Sequence, residues 1–184
     1  MKFKSHVTAF AVLACFSLPQ PGFAQDADRT AALLADLAQA DEADARRLEK
    51  EIRLEWSKSG SAAMDLLLKR GRDALEVNKV EAAIEHFTAL TDHAPDFAEG
   101  WHGLAQAYFH ADMYGPTADA LERTLALNPH HFGAMRGLGA IFEALDKPAL
   151  AYDAYSRVLE LRPHDPDVTE ALDRLDLAVK GTTL

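Results

Sequence analysis

The sequence predicts an all-α fold, an α-solenoid of three helical hairpins with an N-terminal helical pair and a C-terminal capping helix. Three observations predict it. Pro95, Pro129 and Pro163 stand 34 residues apart and close similar phrases, so the chain repeats. Ala and Leu dominate the apolar residues, which favours helix over strand. Apolar residues recur at helical spacing on both sides of the repeat, and no single hairpin buries its apolar face alone, so the units must stack. With 184 residues, 48% of them hydrophobic and 26% charged, the chain has the profile of one folded unit with appendages.

Residues 1–24 read as a secretory leader. Lys2 and Lys4 give a positive start, the apolar run Val7 to Leu18 is shorter than the roughly 20 residues of a membrane span, and Gly22-Phe23-Ala24 is a small-residue cleavage site. Cleavage after Ala24 would leave Gln25 first and no integral membrane segment in the mature chain. A short uncleaved anchor and lipidation at Cys15, after Val12-Leu13-Ala14, rank below it because the run is short and a cut at Cys15 would leave an apolar stub. Removing two lysines from a chain of net charge −10 gives −12, which argues against nucleic acid and anionic lipid as partners. Cys15 leaves with the leader, so the mature chain has no disulfide, thiol nucleophile or cysteine ligand.

Residues 25–61 form an N-terminal helical hairpin or arm, with Leu33, Leu34 and Leu37 on one helix and Leu48, Ile52 and Trp56 on the next. Two readings stand, a degenerate hairpin covering the stack or a mobile arm, with Ser57 to Ser61 as the joint. The repeats follow at 64–97, 98–131 and 132–165. Trp101, Leu104, Ala105 and Tyr108 precede Pro129, and Met135, Leu138, Gly139 and Phe142 precede Pro163. Leu67, Gly71, Ala74, Ala83 and Phe87 hold matching places before Pro95. Small residues at Gly71, Ala105 and Gly139 let paired helices approach, and Asn78, Asp112 and Asp146 suit the turn between them. Each proline ends the second helix. Asp165-Pro166 is an N-cap followed by proline at the first helical position, and Val168, Leu172, Leu175 and Val179 share one face of a capping helix over 166–180.

These residues follow the pattern W-x2-L-G-x2-Y, A-x3-F, P, and the chain resembles the tetratricopeptide-repeat (TPR) family over residues 64 to about 165. It departs from the pattern at Arg70, Ala74, Thr117 and Leu121. The resemblance implies a concave groove lined by the first helix of each repeat, which binds a protein or peptide. Carried over position by position, the groove residues are Leu68, Arg72, Leu75 and Glu76, then Glu99, His102, Gln106, Phe109 and His110, then Arg136, Ala140 and Glu143. Members that clamp the carboxylate tail of chaperones use lysines and asparagines there; Leu68, Arg72, Gly103, Gly133 and Gly137 stand in the matching places, so that activity is not implied.

No catalytic constellation emerges. Gly137-Leu138-Gly139 lacks the third glycine and the preceding strand of a phosphate loop. Four serines remain after cleavage, three of them in the joint, with no nucleophile elbow. His102 and His110 lie eight residues apart, roughly 12 Å along a helix, too far to share a metal unless His130-His131 reaches in. The chain is therefore expected to be a periplasmic adaptor in cell-envelope assembly or maintenance, with no enzyme activity, cofactor or metal. A ligand- or metal-binding protein using the groove histidines is the alternative.

Overall fold

The computed structural model describes residues 21–181, and all its elements are helices: α1 (Pro21–Leu37), α2 (Glu42–Trp56), α3 (Ala62–Glu76), α4 (Val80–His93), α5 (Ala98–His110), α6 (Tyr114–Leu127), α7 (Phe132–Ala144), α8 (Pro148–Leu161) and α9 (Pro166–Gly181). The apolar run and Cys15 of the expected leader lie outside the described residues; its expected cleavage site falls in the first turns of α1. No described helix is long and apolar enough to cross a membrane.

The hairpins α3/α4, α5/α6 and α7/α8 stack in chain order, each packed on the next, and α9 packs on α8. Every hairpin turns through one left-handed residue, Asn78, Asp112 or Asp146, at φ 54°, 57° and 54°. The short polar side chains of Asn and Asp tolerate that conformation. The turn lets the next N–H reach back to the helix it leaves: Lys79 to Ala74, Met113 to Tyr108 and Lys147 to Phe142, at 2.8, 2.9 and 2.8 Å.

Packing between helices follows the volume of one pair. A Cβ on Gly71 would lie 2.5 Å from the Phe87 ring, and one on Gly139 2.4 Å from the Tyr155 ring. The second repeat has Ala105 for the glycine and Leu121 for the aromatic, so a larger inner residue meets a smaller outer one and the volume of the pair is nearly kept. Phe87 also fills the space that a Cβ on Gly103 would need, and Leu121 lies against Gly137, so each outer residue meets its own inner helix and the following one. α9 begins as its sequence suggests: Asp165 Oδ1 accepts from the Val168 N–H at 3.1 Å, with Pro166 at the first position.

The N-terminal pair forms a hairpin, α1 on α2. Its apolar residues Leu33, Leu37, Ala45, Leu48 and Ile52 share a core with Phe132, Met135, Tyr155 and Val168 of α7, α8 and α9. The hairpin thus passes over its neighbouring repeat and seats on the far half of the stack.

Candidate functional site: a concave groove in two halves

α3, α5 and α7 line the concave side. One half is open, a groove of about 510 Å³. Its rim holds Arg72, Leu75 and Glu76 of α3 and His102, Gln106, Phe109 and His110 of α5; its floor is Ala105, Thr117 and Leu121, with Gly133, Gly137 and Ala140 of α7 opposite. Phe109 is 43% exposed, and its ring lies tilted beside that of Tyr114, with centroids 6.1 Å apart.

The other half lies beneath α2. Trp56 stacks on His131 at 4.7 Å and leans on Phe132 at 5.0 Å, and Ser57 accepts a hydrogen bond from Arg72 at 2.9 Å. Arg53 stands 5.5 Å over the Phe132 ring. Further along, Glu49 is 2.6 Å from Arg162 and 3.7 Å from Arg136, and both arginines bond Asp165. A cleft of about 640 Å³ remains between α2 and the inner helices.

Between the halves sits a buried polar cluster. Glu99 pairs with Arg72 through one oxygen and accepts from His131 Nε2 at 2.9 Å through the other. His131 Nδ1 accepts from the Ala134 N–H at 3.0 Å and caps α7. An Nδ1 that accepts leaves Nε2 to donate to Glu99. Burial disfavours the charge on Glu99, yet the His131 hydrogen bond, the neighbouring histidines and Arg72 hold its carboxyl at about 2. The His102 ring lies 4.3 Å from that of His131, and burial, reinforced by His131, brings its pKa down to about 3.

Glu99, His102 and His131 offer donor atoms within 4.8 Å of one another, a spacing open to a metal. Both His131 nitrogens and both Glu99 oxygens are already engaged, so a cation would have to take the place of the proton that His131 Nε2 shares with Glu99. His110, on the groove rim, is not part of the cluster.

Of the residues expected in the groove, Arg72, Glu76, His102, Gln106, Phe109 and His110 come together around the open half. Glu99 is buried at 2% exposure beneath it, and Arg136 faces α2 and Asp165 in the covered half. Glu143 points away: it accepts from the Tyr155 hydroxyl at 2.8 Å and pairs with Arg174 of α9 at 2.8 Å. Gly133, at the start of α7, abuts the cluster, since a Cβ there would lie 3.2 Å from His102 Nε2 and from His131 Cε1. Sequence reasoning missed the roles of Glu49, Arg162 and His131. His131 had a usable signal, because it holds the repeat position that Asp165 holds before α9.

The comparisons with known proteins agree with this geometry. The tetratricopeptide-repeat family model matches residues 68–114 and 118–166. A TPR repeat-containing protein of Rhizobium etli is 32% identical over 137 residues, which covers 74% of this chain and 67% of that protein. The first TPR of Spaghetti bound to an HSP90 peptide superposes at a TM-score of 0.61 with 27% identity, over 64% of this chain and 93% of that one. MamA superposes at 0.60 with 22% identity over 84% of each chain. With three stacked hairpins, the repeated left-handed turn and matches to the family model in two segments, the chain belongs to the tetratricopeptide-repeat family.

Proposed function

We propose that this protein is an exported adaptor that holds a peptide segment of another protein in the open half of its groove and serves cell-envelope assembly or maintenance. The observation that carries the reading is Phe109, a large aromatic side chain left 43% exposed on a rim that is mostly polar, above a floor of small and apolar side chains with Thr117. The Spaghetti domain, similar in fold and 27% identical, is bound to a peptide. Export rests on Lys2, Lys4, the apolar run to Leu18 and Gly22-Phe23-Ala24.

The test is crosslinking and capture from the envelope fraction of the native host, with intact mass on the recovered protein. The parent and a Glu122→Ala/Arg157→Ala control should retain the same crosslinked partner, and Phe109→Ala/Gln106→Ala should lose it with melting unchanged. Surface changes stay within about 0.5 kcal/mol of stability, whereas an aromatic anchor is worth about 2 kcal/mol or more of binding. A stable groove variant that keeps the partner refutes the adaptor reading. A mass that retains Met1, or starts at an acylated Cys15, refutes the proposed processing.

A further inference from the structure

We propose that α2 is an internal ligand of the groove's covered half, and that this surface takes an amphipathic helix bearing a carboxylate and, seven residues on, a large aromatic, which displaces α2. The inference rests on the adaptor reading and extends it to a second contact surface.

The chemistry of the seat defines what it accepts. Glu49 and Trp56 are two helical turns apart, about 10 Å, and lie on one face of α2. The carboxylate end meets Arg136 and Arg162, whose two charges are only partly offset by Asp165, so the seat is complementary to an anion. The aromatic end meets His131 and Phe132. Leu54 of α2 is 59% exposed and lines the same cleft.

Three observations mark α2 as replaceable. Although Arg162 Nη1 is 2.6 Å from Glu49 Oε1, that oxygen gains no aligned hydrogen bond, and Arg162 Nε is buried with no partner. A buried polar atom left so gains by exchange for a better-placed carboxylate. The cleft of about 640 Å³ also leaves the Arg46, Glu49, Lys50 and Arg53 edge of α2 incompletely packed. The joint to α3 contains Gly60 at φ 79°, a backbone state glycine adopts freely.

The probe is a fluorescent peptide with the sequence of residues 41–57, titrated by anisotropy into the full chain. Glu49→Gln/Trp56→Ala loosens the resident helix and leaves the seat intact, and it should bind the probe at least tenfold tighter than the parent. A probe carrying the same two changes should bind neither protein. Equal affinity of parent and variant for the unchanged probe overturns the proposal. Should the variant fold poorly, hydrogen exchange on the parent decides: α2 amides should exchange at least tenfold faster than those of α5 and α7, and equal protection overturns it. A parent dimer that exchanges α2 between copies, seen by light scattering, also overturns the internal seating. The probe comes from the chain itself, so the result is independent of partner capture through Phe109, and either reading fails without the other.

Discussion

His102 offers the sharpest test of the buried cluster. Its pKa, brought down to about 3 chiefly by burial, lies well below the value of about 6.5 expected in the unfolded chain. Between those two values the unfolded state holds a proton that the folded state lacks, so stability from this group is full above about pH 6.5 and falls on acidification toward pH 3. The slope approaches about 1.4 kcal/mol per pH unit, and from pH 7 to 5 the loss integrates to about 2 kcal/mol. One edge of the ring lines the groove, so this value is an upper bound. The other groups acting on it are His131 and Glu99, with Arg72 and Arg53 beyond. His102→Phe keeps the ring against His131 and removes the titration. Urea unfolding of parent and variant at pH 7 and pH 5 should show the parent losing up to about 2 kcal/mol more than the variant. A parent that loses no more than the variant, within about 0.3 kcal/mol, would refute the claim that His102 is held neutral by its burial.

Two further outcomes follow from the contacts. Gly139→Leu should lower stability by about 1 to 3 kcal/mol or more, because Tyr155 already fills the space of the first added carbon; Gly115→Ala, with nothing within 4 Å of the new Cβ, should be neutral or slightly stabilising. Gly133→Ala should fall between them, since His102 and His131 must give by a few tenths of an ångström; equal melting temperatures for the three variants would show the helix contacts to be misplaced. Zinc should leave the melting temperature unchanged, because the donors of Glu99 and His131 are engaged; a gain rising as RT ln(1 + [Zn]/Kd) and lost in His131→Ala would reinstate a metal site.

The stack was legible because its determinants recur. Proline, glycine, aromatic and turn positions each appear at a fixed period, and each acts within one hairpin or on its immediate neighbour. Gly71 with Phe87 and Gly139 with Tyr155 are contacts of this kind, and the open half of the groove follows from the inner-helix positions. The seating of α2 is set differently. It depends on Glu49 reaching Arg136 and Arg162, and on Trp56 reaching His131, across stretches of chain in which no period operates. A helical pattern shows that α2 has an apolar face; it says nothing of which repeat that face meets.

The repeat nevertheless marks where the non-repeating piece attaches, through columns whose chemistry changes from one unit to the next. Reading down the positions 34 residues apart, Ala94 and Asn128 give way to Arg162, Phe97 and His131 to Asp165, and Leu68 and His102 to Arg136. Each change places a charge in the third unit. A solvated surface charge would need no partner, but Arg162 and Asp165 are 7% and 0% exposed, and buried charges persist only when paired. Asp165 is shared by both arginines, so one carboxylate faces two guanidinium groups and a second anion is required nearby. Glu49, 6% exposed on α2, supplies it. Arg136, Arg162 and Asp165 are thus the residues that bring the N-terminal hairpin onto the groove, and the second guanidinium that Asp165 leaves over is what a competing helix would have to answer.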